Sequence, residues 1–255
     1  MQTRQEKILE QIVSEGSQTV QALSTSLGVS QVTIRKDLSL LAERGLIRRE
    51  HGIAVLAAQD DLSGRLAYHH ANKRRIASLA ASSISDGETV MIESGSCCAL
   101  LAQTLAQERQ GVMIVTNSTF ITEMVRPYPG IRVTLLGGEF QPGSQVLVGP
   151  LIQRCVETFH VDKLFIGMDG FESPGIFMGN DYLRAEAVRH MSMRAERVII
   201  LSESEKFLRQ GTVSLMFVDR VAGLVTDDAL DPEIETLLSG YQLEIRKAGE
   251  EEMNA

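Results

Sequence analysis

Gly28-Val29-Ser30-Gln31-Val32-Thr33-Ile34-Arg35-Lys36-Asp37-Leu38 is the stretch on which the fold of the first part of the chain turns. Gly28 can take the positive φ that a sharp turn requires. Ser30 is placed to cap the helix that follows, its hydroxyl accepting amide protons of the first turn. Along that helix, expected over 31–44, Ile34, Leu38 and Leu41 recur at spacings of four and three and define the buried stripe. Val32, Lys36, Ser39 and Glu43 then fall opposite, with Thr33 and Arg35 flanking the exposed face. Upstream, Val20, Leu23 and Leu27 predict a helix over 20–27, and Ile8, Leu9, Ile12 and Val13 predict a first helix that ends near Gly16. A short helix, a Gly-bearing turn and a second helix with a polar exposed start have helix-turn-helix spacing. Downstream, residues 46–56 read as two short strands about a His51-Gly52 turn, with Arg48 and Arg49 on one strand, which is a wing.

The side chains on that third helix suit the major groove. Gln31 can pair with adenine, Val32 can touch a thymine methyl, and Arg35 or Lys36 can reach guanine or phosphate. With Ser30 and Thr33 at the helix start, and Arg48, Arg49 and His51 on the wing, these residues form the expected contact surface for operator double-stranded DNA. Periodicity alone leaves a generic three-helix packing module open.

Composition divides the chain. It has 255 residues, 44% of them hydrophobic, enough for one large core and a small one. The net charge of −8 is uneven. Residues 1–56 hold seven Lys/Arg against six Asp/Glu, a balance of +1, and the remainder holds 18 against 27, a balance of −9. An acidic body discourages non-specific adhesion while leaving the head able to approach nucleic acid. The start lacks the apolar run of a signal peptide and no stretch is long enough to span a membrane, so a cytoplasmic location is expected. Three cysteines, with Cys97 and Cys98 adjacent, match neither a disulfide framework nor a zinc site, and His69-His70 in a polar stretch is read as solvated; no metal or cofactor is expected. A GxxxxGK[ST] loop is absent from the sequence, which argues against an ATP-driven activator.

The expected organisation is a winged helix-turn-helix domain at 1–56, a linker at 57–72 without sustained apolar periodicity, and an α/β domain at 73–255. Lys73-Arg74-Arg75 leads into a helix over 76–84, and its charges are read as solvating the helix start. Strands are expected near 89–92, 112–115, 132–136, 163–166, 198–201, 224–225 and 243–245, with helices between most of them. Such alternation implies a Rossmann-like, largely parallel sheet covered on both faces, with ligands bound outside the carboxyl ends of its strands. Those ends supply Glu93-Ser94-Gly95-Ser96-Cys97, Asn117, Gly137-Gly138, Asp169, Glu203 and Lys206. Ser94-Gly95-Ser96 before a helix over 99–105 offers amides and hydroxyls to an anion, and Lys206 offers a positive charge. Glu93, Asp169 and Glu203 can accept hydrogen bonds from sugar hydroxyls, and Asn117 can both donate and accept. Ordinary turn and surface roles for these residues remain open.

Val29-Ser30, Thr33-Ile34-Arg35-Lys36-Asp37-Leu38, Leu41, Gly45 and Ile47-Arg48-Arg49-Glu50-His51-Gly52 closely resemble the head of the DeoR family of bacterial regulators of sugar metabolism. Thr116-Asn117, Gly137-Gly138, Gly149-Pro150, Asp162, Gly167, Lys206-Phe207 and Thr226-Asp227 extend the resemblance over nearly all of residues 3–246. It implies a body similar to sugar-phosphate isomerases that binds a phosphorylated sugar-like effector without turning it over. Lys36 and Ile53 stand where the family usually has Arg and Gly. Glu93, Cys97, Arg189 and the run Glu203-Ser204-Glu205-Lys206 also depart from its pattern, so the effector is expected to differ from the common hexose or pentose phosphates. Three functions compete: a ligand-released repressor of a carbohydrate-catabolism operon, an isomerase with an accessory head, and a constitutive architectural DNA binder. The resemblance favours the first, without catalytic residues. A single small head makes few base contacts, so a homodimer or homotetramer is expected.

Overall fold

The structure, a computed structural model, describes residues 4–249 with the exception of 16, 44–46, 51, 57–64 and 67. The chain divides into two compact units, Met1–Ala71 and Asn72–Ala255.

The first unit contains α1 (Arg4–Glu15), β1 (Ser17–Thr19), α2 (Val20–Leu27), α3 (Gln31–Glu43), β2 (Ile47–Glu50) and β3 (Ile53–Leu56). Its core joins Ile8, Leu9 and Ile12 of α1, Val20 and Leu23 of α2, and Ile34, Leu38 and Leu41 of α3 to Ile47 and Ala54 of the sheet. Full burial of each such branched side chain is worth about 1.5–3 kcal/mol. Thr19 caps α2 by accepting from the Ala22 amide at 3.0 Å, and Gly28 ends it at φ +66°, where a Cβ would be strained. The strands form an antiparallel sheet in the order β1-β3-β2. The two wing strands are those read from the sequence, with Gly52 at φ +86° between them; β1 is an addition. Ser-Gln-Thr carries no apolar alternation, and the strand exists because Gln18 is buried and donates to Glu15 while the backbone pairs with β3.

The second unit is built on a seven-stranded sheet. Its members are β4 (Thr89–Ile92), β5 (Met113–Thr116), β6 (Arg132–Leu135), β9 (Val161–Ile166), β12 (Ala195–Leu201), β14 (Gly223–Asp227) and β15 (Glu244–Ala248). They lie in the order β15-β14-β12-β9-β4-β5-β6, every pair parallel. All seven were expected; the central strands, buried on both faces, read as continuous apolar runs, whereas the edge strands β6 and β15 are partly exposed and carry charged residues. Register places Met91, Leu164 and Val198 in one row, and these side chains join a core with Ile152 and Val156 of α7 (Pro150–Val156), Val188 and Met191 of α8 (Tyr182–Ser192) and Leu238 of α9 (Pro232–Ser239). Three further helices are α4 (His70–Ala81), α5 (Ser96–Glu108) and α6 (Thr119–Val125). The stretch read as a linker over 57–72 lies largely outside the described residues, and its last three residues are already helical.

Two small antiparallel sheets were not legible in the sequence. One is the hairpin β7 (Glu139–Gln141) with β8 (Val146–Val148); the other is β10 (Gly170–Glu172), β11 (Ile176–Gly179) and β13 (Val213–Phe217) in the order β10-β11-β13. Phe171 and Phe177 of the second sheet pack with Phe207, their ring centroids 5.3–6.3 Å apart, and so anchor the 3-10 turn Ser204–Leu208.

From β4 the chain first moves outward through β5 and β6, then returns to β9 on the other side of β4 and moves outward again through β12, β14 and β15. The strand order reverses between β4 and β9. Crevices at such a switch point are where parallel α/β sheets take up ligands.

Candidate functional site

On the first unit, Ser30 caps α3 as expected: the Thr33 amide donates to Ser30 Oγ at 3.2 Å, and the two hydroxyls lie 2.9 Å apart. Gln31, Val32, Arg35 and Lys36 are exposed, and Thr33 is half-buried. Val32 is 73% exposed, an apolar side chain left in water on a helix whose Ile34, Leu38 and Leu41 are inside. Arg35 donates to Gln31 Oε1 at 3.2 Å, which holds both polar tips on one side of the helix. Arg48 and Arg49 are exposed on β2, and Arg49 donates to Ser39 Oγ of α3 at 3.2 Å, tying wing to helix. His51 lies outside the described residues. A bidentate pair that the sequence did not reveal fixes α3 from behind. Arg4 Nε is 2.5 Å from Asp37 Oδ2 and Arg4 Nη2 is 3.2 Å from Oδ1. Asp37 is 5% exposed, and its hydrogen bond and charge raise the pKa of Arg4 further above its ordinary value.

On the second unit, every candidate effector residue falls at the carboxyl end of the sheet or in the segments leaving it. Following the strand order β12-β9-β4-β5-β6, these are Glu203 and Lys206, then Asp169, then residues 93–97, then Asn117, then Gly137 and Gly138. Several have different work from that expected. Glu93 is not turned outward for a sugar hydroxyl: it is 8% exposed and its carboxylate accepts from Ser94 Oγ at 2.7 Å, from the Gly95 amide at 2.8 Å and from the Gly167 amide at 3.3 Å. It closes the switch point by holding the β4 loop to the β9 loop. The Ser94 hydroxyl and Gly95 amide are thereby engaged and are not open to an anion. Gly95 is the N-cap of α5 and makes no side-chain cap bond, which leaves the first turn at Ser96 and Cys97 without a side-chain acceptor from that position. Cys97 is buried at 5% exposure in that turn.

Asn117 is 1% exposed; its Nδ2 donates to the Leu147 carbonyl at 3.1 Å, and its Oδ1 is buried with no hydrogen-bond partner among the described residues. Gly138 serves packing, since a Cβ there would sit 2.5 Å from the Val148 carbonyl oxygen, and Gly137 faces Cys155. Asp169 accepts from the Asn180 amide at 3.0 Å and lies 4.0 Å from Lys206 Nζ, both side chains 21% exposed.

Glu203 is 2% exposed and pairs with Lys73 at 3.0 Å, so neither its expected hydroxyl contact nor the solvated reading of Lys73 stands. Asp227, at the rim and part of the family-like Thr226-Asp227 pair but not among the expected effector residues, is 2% exposed and accepts from Ser204 N, Ser204 Oγ, Asn72 Nδ2 and Ala229 N at 2.5–3.1 Å. Its sequence signals were its place at a strand end and its part in the family-like Thr226-Asp227 pair. A cleft of about 40 Å³ opens at the opposite, amino ends of β9, β12, β14 and β15. Its cations are already engaged, Lys163 by Glu88, Arg197 by Glu244 and Arg246 by Ser82.

A capped helix with an exposed polar start beside a basic wing, followed by a separate parallel α/β unit, defines a DNA-binding transcriptional regulator. The DeoR-like helix-turn-helix domain matches residues 4–60, and the DeoR C terminal sensor domain matches residues 68–228. The chain belongs to the DeoR family. It is 30% identical over 241 residues to the transcriptional repressor AccR of Agrobacterium fabrum, covering 92% of this chain and 93% of that one. It is 26% identical over 245 residues to the glycerol-3-phosphate regulon repressor of Escherichia coli K12, covering 95% and 97%. The ribose 5-phosphate isomerase of Methanocaldococcus jannaschii is similar over 53% of each chain, at 18% identity and a TM-score of 0.40. By its family the chain is a regulator rather than an enzyme. Among the described residues no helix is long and apolar enough to cross a membrane.

Proposed function

We propose that the chain is a cytoplasmic repressor of a carbohydrate-catabolism operon, released from its operator by a phosphorylated sugar or sugar-acid effector, and that it works as a homodimer or homotetramer. The observation that carries this reading is the start of α5. It stands at the switch point, its N-cap Gly95 contributes no capping side chain, and the sheet's carboxyl end also bears the partly exposed Lys206. A helix N-terminus favours negative charge, and a lysine in the next segments of the rim adds to that preference. The name of the glycerol-3-phosphate regulon repressor supports a phosphorylated effector. Asn117 Oδ1 supplies an acceptor for a hydroxyl proton. The operator is read by Gln31, Val32, Arg35 and Lys36, with Ser30 and Thr33 setting the helix start and Arg48, Arg49 and His51 on the wing. Paired heads raise affinity through effective concentration.

The test is a thermal-shift series on the purified chain with aldose, ketose, polyol and aldonic acid phosphates, since a ligand that binds only the folded state must raise its stability. A ligand that stabilises the chain is then added to the complex with operator DNA. Release supports the reading; stabilisation by an unphosphorylated sugar only, or retention on DNA, counts against it.

A further inference from the structure

Asn72 and Lys73 are the first residues of the second unit and lie in the opening turn of α4, through which the chain arrives from the head. Both reach segments more than a hundred residues later. Lys73 Nζ lies 3.0 Å from Glu203 Oε2, with the two side chains 4% and 2% exposed. Asn72 Nδ2 donates to Asp227 Oδ2 at 3.0 Å, and Asp227 also accepts from the amide and hydroxyl of Ser204. Glu203 and Ser204 open the 3-10 turn that carries Lys206.

The strength of these links differs along that turn. An ion pair with both members out of water resists separation, because neither charge can be solvated alone at low cost. Hydrogen bonds to a buried carboxylate are likewise charge-assisted. The start of the turn is therefore locked to α4. Its Lys206 is one-fifth exposed and only 4.0 Å from Asp169, a spacing that an arriving anion can alter.

We infer that Lys73 and Asn72 are positioning residues of the switch, passing a displacement of the Lys206 turn, through Glu203 and Asp227, to the segment that leads from the head. The inference rests on the proposed reading of the rim as the effector site. Coupling between two binding events is reciprocal, so DNA held by the head must alter the same turn. The link is thus measurable without the effector.

The probe is a DNA duplex selected by the wild-type full chain from a random-sequence library. Amide hydrogen exchange is followed at 203–209 and 227–230 with and without that duplex. The wild type should show a change on the order of fivefold or more at 203–209, the lower end of ordinary coupling strengths. Lys73→Met should bind the duplex as tightly yet lose most of that change, and Lys73→Arg, which keeps the charge, should restore it. Asn72→Ala removes one neutral donor and serves if Lys73→Met does not fold; it should lose part of the change. A selected duplex that leaves 203–209 unaltered in the wild type, or alters it equally in Lys73→Met and Asn72→Ala, overturns the coupling alone. Failure of the wild type to select any duplex overturns the regulatory reading and the coupling with it.

Discussion

Gly95 and Gly167 stand back to back across the boundary between β4 and β9: a Cβ on the first would lie 3.3 Å from the Cα of the second, and a Cβ on the second 3.4 Å from the Cα of the first. The Glu93 carboxylate accepts both of their amides. Glu93→Ala removes the acceptor for three donors at once, and is expected to cost the second unit about 1–3 kcal/mol, the penalty for a buried donor left unsatisfied. Chemical denaturation followed by a probe in that unit measures it. A midpoint equal to that of the wild type would show that Glu93 does not hold the switch point together.

Val32 and Arg35 separate recognition from stability. Both side chains are exposed, so Val32→Ser and Arg35→Ala should leave the melting of the chain within about 0.5 kcal/mol of wild type. Arg35→Ala should weaken binding to the selected duplex by about 1–3 kcal/mol if the guanidinium reads a base. If it meets a phosphate, the loss is nearly uniform across sequences and the salt slope falls by about one. Val32→Ser should relax preference at a single A·T position. Titrations at several salt concentrations on matched and mismatched duplexes distinguish these outcomes, and wild-type binding by both variants would remove this face from the interface.

Lys206→Ala addresses the sensor. The side chain belongs to the second unit, so affinity for DNA without effector should stay near that of the wild type while release by the effector becomes inefficient. A ligand shifts an equilibrium only by its difference in affinity for the two states, and this substitution reduces that difference. In a cell the variant should behave as a non-inducible repressor. DNA affinity with and without the stabilising ligand is the measurement; equal release of wild type and variant would remove Lys206 from the effector site.

Gly138 is limited by space. A Cβ would meet the Val148 carbonyl oxygen at 2.5 Å and its amide nitrogen at 3.0 Å, both backbone atoms of the paired strand. Gly138→Ala should therefore destabilise the second unit by about 1–3 kcal/mol, as overpacking does. Wild-type stability would mean that the β7–β8 hairpin shifts freely.

The parts legible in the sequence were those with a long, one-dimensional signal. Val90-Met91-Ile92 and Leu164-Phe165-Ile166 are fully buried runs in central strands, and the stripe Ile34, Leu38, Leu41 marks a helix by spacing alone. The strands absent from that reading are three to five residues long, and most include glycine or polar side chains, as in Gly170–Glu172 and Ser17–Thr19, while the apolar Val146–Val148 is too short to carry a period. The candidate site divides in the same manner. Its placement at strand ends followed from the order of elements, but the partners of its charges did not, because Lys73 and Glu203, or Glu93 and Gly167, meet only after the sheet has formed. A lysine in a helix's first turn reads as solvated until a carboxylate from a distant loop is folded onto it.

The bond between Asn72 and Asp227 spans 155 positions of the chain. The core of the head, by contrast, is complete within its first 71 residues. At ribosomal speeds of about 5–20 residues per second, roughly 8–30 seconds of synthesis separate those two milestones. A nascent chain can thus complete the core of its head well before Asp227, the acceptor that ties Asn72 to the far side of the second unit, has been synthesised.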